Sequence, residues 1–200
     1  MTDVDLGQPL PIPLPSLELQ ARLATRRSAP AQSLVGPGPS PEEIDRILHL
    51  AARTPDHGKL FPWRFVVLGP RSRAGLATAL LPLVARQADP DKAARVLSKL
   101  TAPPVTVLVI SSPVAEAKIP LWEQQLSAGA VCMNLEHAAG AFGYAASWIT
   151  DWYSYDAEAV ALFGVREGEQ VAGFLHLGTL AAPALERPRP DLATRTVYQP

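Results

Sequence analysis

The sequence predicts an α+β fold, with a mixed central sheet flanked by helices. Three observations carry that expectation. Helical and strand patterns are interspersed without strict βαβ alternation. The run Val105-Thr106-Val107-Leu108-Val109-Ile110 is continuous and β-branched, the mark of a strand covered on both faces. The segment from Pro120 to Phe142 is small and apolar nearly all round, which predicts a buried helix. In a chain of 200 residues, a long central helix packing on its symmetry mate would bury that surface.

The elements follow in order. Residues Leu17 to Thr25 read as a short helix ending at Arg26-Arg27-Ser28. A second helix begins at Ser40-Pro41-Glu42-Glu43, where Ser40 caps, Pro41 fits the first turn and Glu43 completes a capping box. Ile44, Ile47, Leu48, Ala51 and Ala52 follow at helical spacing, and Thr54-Pro55 stops the helix. Arg64 to Leu68 reads as a strand closed by Gly69-Pro70. Residues 72–88 and 91–100 read as helices, and Pro103-Pro104 resets the chain before the β-branched run. After the long helix, Gly143 breaks the pattern. Ala145 to Ile149 reads as a strand, Asp156 to Phe163 as a short helix, and Val171 to Leu177 as a strand ended by Gly178.

The length and the 48% apolar content suit a single domain over 1–200 with a real core. The 21 prolines gather toward the two ends. Residues 1–15 and 180–200 therefore predict extended terminal arms, since proline blocks helix and sheet-interior pairing. A formal charge of −1 argues against a general nucleic-acid binder and against electrostatic membrane anchoring. The lone Cys132 cannot form an internal disulfide, which points to a cytosolic compartment. The start Met1-Thr2-Asp3-Val4-Asp5 is acidic where a signal peptide is basic. Apolar stretches are interrupted at Glu136, His137 or Gly178, short of membrane-spanning length. A soluble cytoplasmic protein is expected.

Candidate chemistry begins with what is missing. There is no glycine-rich dinucleotide loop and no P-loop, so a bound nucleotide phosphate would need side chains. Arg26-Arg27-Ser28 offers guanidinium forks beside a hydroxyl. Arg187-Pro188-Arg189 offers two cations on one side of an extended segment. Taken alone, each pair reads as solvated surface charge. The loop Arg53-Thr54-Pro55-Asp56-His57-Gly58-Lys59-Leu60-Phe61-Pro62-Trp63 joins a helix to a strand and is polar yet stiff, the kind of loop that carries binding groups. Trp63 is expected in the core. His49, His57, His137 and His176 lack metal-ligand spacing, and no nucleophile elbow is present.

Taken in order, these motifs resemble the nitroreductase family, most closely its short, YdjA-like bacterial branch. The resemblance rests on Arg26-Arg27-Ser28, Ala52 to His57, Pro62-Trp63-Arg64-Phe65-Val66-Val67, Trp122-Glu123-Gln124, Ala138 to Gly143, Trp148, and Gly173-Phe174-Leu175-His176-Leu177-Gly178. It spans about residues 17 to 198. Leu60 and Phe61 stand where the family often has Asn and Gln, and Ile149 replaces a polar or basic residue. The resemblance implies an obligate homodimer with exchanged arms and FMN at the subunit interface. It also implies NADH or NADPH as electron donor and a small nitroaromatic or quinone acceptor. By position it assigns FMN contacts to Arg26, Arg27, Ser28, Arg53, His57, Trp148, Ile149, Thr150, Arg187 and Arg189. It assigns the nicotinamide nucleotide to Ala138, Ala139, Gly140, Ala141, Phe142 and Gly143. Chemistry at the flavin N5 needs no protein acid or base, and Lys59 or Arg53 would offset charge on the reduced ring. The alternative is an FMN-binding storage or sensing module without turnover.

Overall fold

A computed structural model of the chain describes residues 5–199. Met1-Thr2-Asp3-Val4, most of the acidic start noted above, and Pro200 lie outside the described residues. Six helices and five strands make up the regular structure among them. In chain order these are α1 (Leu17–Thr25), β1 (Leu34–Val35), α2 (Pro41–Ala51), β2 (Trp63–Leu68), α3 (Pro70–Val84) and α4 (Pro90–Thr101). There follow β3 (Val105–Ser111), α5 (Leu121–Ala141), β4 (Ala145–Ile149), α6 (Ala157–Leu162) and β5 (Gln170–Leu180).

Local chemistry accounts for the helix starts. Ser40 and Glu43 form the expected reciprocal capping box at α2, with Pro41 in the first turn. Asp89 caps α4 by accepting from the Lys92 N–H, and Pro90 follows it. The helix expected over 72–88 runs instead from Pro70 to Val84, with Pro82 inside it.

The sheet differs from expectation in one respect. Every pairing is antiparallel, so the sheet is not mixed. The reason is topological. The helix pair α3–α4 returns the chain to the sheet end that β2 left, so β3 lies antiparallel beside β2. The single crossover helix α5 makes β4 run in the same direction as β3. Strand β5 then fills the gap between β3 and β4, antiparallel to both. The two-residue β1, too short to show in the sequence pattern, adds at the end of β5 through Leu34–Leu180 and Val35–Thr179.

The central strand β3 is covered on both faces, as its composition predicts. Val107 and Val109 face one core with α2 and α5, built on Ile44, Ile47, Val131, Leu135 and Leu175. Leu108 and Ile110 face a second core with α3, α4 and α6, built on Leu80, Leu97, Leu100, Phe163 and Phe174. The period-two alternation of a strand sends successive side chains to opposite layers. Full burial of each such side chain contributes about 1.5–3 kcal/mol.

Helix α5 is buried on one side only. Val131, Cys132, Leu135 and Ala139 are fully enclosed, whereas Leu121, Trp122 and Leu126 are exposed. Helix α1 buries no residue. The segments 5–15 and 183–199 carry no helix or strand beyond one short 3-10 turn and expose Leu10, Ile12, Leu14, Leu185, Val197 and Tyr198. Among the described residues, no helix is long and apolar enough to cross a membrane.

Candidate functional site

The residues singled out by sequence gather around the two ends and the outer face of α5. At its C-terminal end lies a cavity of about 200 Å³ lined by Arg22, Arg26, Arg27, Glu136, His137 and Gly140, among others. Arg26 Nη1 donates to Glu136 Oε2 at 3.0 Å and to Ser28 Oγ at 3.2 Å. No bond from its Nε or Nη2 is present among the described residues. Burial pushes the Glu136 carboxyl above its ordinary pKa, and the Arg26 guanidinium pulls the other way. His137 is held low by burial and by Arg26 and Arg22. The Arg22 guanidinium sits where a Cβ on residue 140 would be, so Gly140 makes room for it.

The second basic pair comes to the same place. Arg27 Nε donates to the Leu185 carbonyl at 2.8 Å and lies 3.9 Å from Glu186. Arg189 Nη2 donates to the Arg26 carbonyl at 3.1 Å and to Glu186 at 2.8 Å. Arg26, Arg27, Ser28 and Arg189 are thus brought together across about 160 residues of sequence. The Arg187 backbone N–H caps the same Glu186 carboxylate.

The loop 53–63 runs along α5 against its direction. Thr54 Oγ1 accepts from Asn134, the Pro55 carbonyl accepts from Ser127, and His57 Nδ1 meets Glu123 at 2.8 Å. Trp63 Nε1 donates to Ser127 at 3.2 Å and its ring is half-buried against the α2–α5 core. The loop backbone is strained. Gly58, Lys59 and Phe61 have φ of 82°, 56° and 48°. For Lys59 and Phe61 this left-handed conformation costs on the order of 1 kcal/mol each. The Asp56 carboxylate holds it by accepting from the Leu60 and Phe61 N–H groups. Such imposed strain is typical of backbone positioned for a task. A second, more open cavity of about 290 Å³ lies here, lined by Pro55, Asp56, His57, Glu123 and Leu126. Arg53 and Lys59 are exposed.

At the end of β4, Trp148 Nε1 donates to the Ala172 carbonyl at 3.0 Å. Its indole lies over Gly173, where a Cβ would overlap Nε1 and Cδ1. Gly173→Ala is expected to displace Trp148 and cost about 1–3 kcal/mol, read as a lower urea midpoint with unchanged m-value. Ile149 pairs with Phe174, and Thr150 accepts from the Tyr155 hydroxyl.

The stretch 138–143 divides. Ala138 and Ala139 are buried in the core, leaving Gly140, Ala141, Phe142 and Gly143 wholly or partly exposed. A nucleotide would meet only that second part. Several residues of the cavity were not assigned to a site from sequence, among them the charged Arg22 and Glu136. The signal was present: a carboxylate inside an otherwise small, apolar helix demands a partner. His176 is interior, with Nδ1 on Thr106. No cluster of His, Cys, Asp or Glu suited to a metal ion occurs among the described residues.

Comparison with known proteins agrees with this layout. The family model described as "Nitroreductase family" matches residues 24–179. "Putative NAD(P)H nitroreductase YdjA" of Escherichia coli K12 is 32% identical over 160 residues, covering 78% of this chain and 85% of that protein. A protein of Haemophilus influenzae named "Putative NAD(P)H nitroreductase" is 35% identical over 159 residues, with the same coverage. Among solved structures, a nitroreductase-like family protein from Bacillus cereus superposes with a TM-score of 0.80 at 17% identity, covering 94% of this chain and 99% of that one. A nitroreductase with bound FMN from Bacteroides fragilis gives 0.71 at 21% identity, covering 92% and 100%. With an antiparallel sheet between two helical layers and the family motifs set around α5, the chain belongs to the nitroreductase family.

Proposed function

We propose that the protein is an FMN-dependent NAD(P)H oxidoreductase acting as a homodimer, with the flavin between subunits. The observation that carries this is the cavity of Arg22, Arg26 and Arg27, with the Nε–Nη2 edge of Arg26 left open. That edge is the side-on fork that binds a phosphate bidentately. The residues therefore fit an FMN phosphate held by side chains.

Two further features support the dimer. His57 and Arg26 meet α5 at Glu123 and Glu136, which are about 20 Å apart along a helix. One copy separates the loop cavity from the arginines, whereas a second copy packed on the outer face of α5 would set loop and arginines from different chains together. The exposed Leu121, Trp122 and Leu126, and separately the exposed apolar residues of the terminal segments, supply apolar surface that such a partner would bury.

In this reading Arg26, Arg27, Ser28 and Arg189 bind the phosphate end, with Arg187 beside them. Trp148, Ile149 and Thr150 line the cofactor, and Arg53 and His57 reach it from the loop. Gly140 to Gly143 offer backbone to the nicotinamide nucleotide. When bound, FMN would supply hydride-transfer chemistry between NADH or NADPH and a small nitroaromatic, quinone or similar acceptor. The protein binds, orients and offsets charge. Lys59 and Arg53 are the exposed cations of the loop that can stabilise an anionic reduced ring.

Purified protein is expected to be yellow, to run as a dimer on size exclusion, and to bleach on adding NADH or NADPH. Bleaching followed by reoxidation with a nitroaromatic supports an enzyme. A yellow dimer that no reduced nicotinamide bleaches would favour a storage or sensing role. A colourless monomer that ignores added FMN would discard the proposal.

A further inference from the structure

We infer that Glu136 is the positioning residue for Arg26, turning the open edge of its guanidinium toward the flavin phosphate. The inference rests on the flavin reading above and assigns Glu136 a role that the family motifs do not contain.

The geometry is specific. Glu136 projects from α5 next to Leu135 and one turn before Ala139, both fully buried, so its backbone cannot shift. Its side chain is 5% exposed, yet it lines the cavity of arginines. Oε2 takes one hydrogen of Arg26 Nη1, and Ser28 Oγ takes the other. Both hydrogens of that nitrogen are therefore spent, which fixes the plane of the guanidinium. Nε and Nη2 lie on the opposite edge and keep their three hydrogens for a ligand. Among the described residues Oε1 is buried with no hydrogen bond of ordinary length, although the Trp148 N–H and the Ser28 hydroxyl lie close enough to favour the charged carboxylate. A carboxylate near a phosphate also repels it. Arg22, Arg26 and Arg27 line the same space, so the cavity still carries more positive than negative groups.

Position and charge make opposite demands, and this makes the inference testable. Glu136→Gln keeps an accepting oxygen at the same reach and removes the repulsion. Glu136→Asp keeps the charge but withdraws it by one methylene. Glu136→Leu removes both. FMN dissociation constants, read from quenching of flavin fluorescence by cofactor-free protein, are expected to fall in a set order. Glu136→Gln binds at least as tightly as wild type. Glu136→Asp and Glu136→Leu bind roughly tenfold or more weakly, as loss of a charge-assisted hydrogen bond predicts. In an Arg26→Ala background, Glu136→Asp and Glu136→Leu add no further loss, because the favourable action of the carboxylate runs through Arg26 and only its repulsion of the phosphate remains. The inference is overturned if Glu136→Asp binds like wild type, if Glu136→Leu binds more tightly, or if either loss persists undiminished without Arg26. Wild-type protein that binds no FMN would instead bring down the flavin reading and this inference with it. Should Glu136→Leu fail to fold, the Gln–Asp contrast and the Asp cycle decide the matter.

Discussion

Arg73→Ala is expected to cost about 3–5 kcal/mol of folding stability, the largest loss from any single substitution considered. Arg73 lies in the first turn of α3 and is 1% exposed. Among the described residues it has no carboxylate partner. Its guanidinium donates instead to four carbonyls: Leu68 at 3.1 Å, Leu100 at 2.8 Å, Thr101 at 3.3 Å and Pro104 at 2.7 Å. Leu68 ends β2, Leu100 and Thr101 end α4, and Pro104 precedes β3. One side chain thus satisfies orphan carbonyls at a helix C-terminus and ties three elements at one corner of the sheet. A cation there also complements the helix dipole. Removing it leaves buried acceptors without donors, each costing about 1–3 kcal/mol where water cannot enter. Arg73→Lys is expected to recover only part, since an ammonium on a flexible stem cannot span acceptors set in a plane. Urea unfolding of the three proteins checks this. A loss below about 1 kcal/mol for the alanine variant would show that water or repacking replaces the guanidinium.

The second large effect is acid destabilisation through His176. Its ring is fully buried and bonded through Nδ1 to Thr106, and Nε2 has no hydrogen-bond partner among the described residues. Burial, with Arg73 and Lys99 nearby, pushes its pKa down to about 3, against an ordinary 6.5. The folded state therefore keeps the ring neutral while the unfolded chain takes up a proton below 6.5. Stability contributed by the neutral ring is complete above pH 6.5 and is lost as pH falls toward 3. The full difference is on the order of 4–5 kcal/mol. Glu169 acts lower. Arg64 grips it through both oxygens, and with the Arg166 N–H and Ser112 it is held down to about 2. Its contribution is therefore lost only below its ordinary 4.5. Between pH 6.5 and 5 the slope belongs mainly to His176, with a smaller share from His137, whose pKa is also lowered. Urea midpoints measured across that range should fall for the wild type and fall clearly less steeply for His176→Leu. An equal slope in both proteins would remove His176 as the cause.

Much of the architecture is legible because its signals are local. The Ser40–Glu43 box, the prolines at helix starts and the β-branched run at 105–110 each act within a few residues, and each element sits within a few residues of its expected bounds. The motifs that place the chain in its family are equally local. The antiparallel character of the sheet was not readable, because it depends on β5, the last strand in sequence, inserting between β3 and β4. Strand β1, at two residues, is too short for any periodicity.

The candidate site divides along the same line. The local sequence shows that Arg26 and Arg27, and Arg187 and Arg189, are basic pairs, and the family resemblance sets them at either end of its motifs. Only the tertiary structure decides that the first pair meets the C-terminal segment through Glu186. It alone decides that Glu136 faces Arg26 across 110 residues, and that Ala138 and Ala139 turn into the core while Gly140 faces Arg22. The physical reason is range. Caps, turns and periodicity depend on neighbours in sequence, so the chain itself declares them. Buried ion pairs and the facing of one helical turn depend on which distant surface the helix packs against, and that is set only when the layers close.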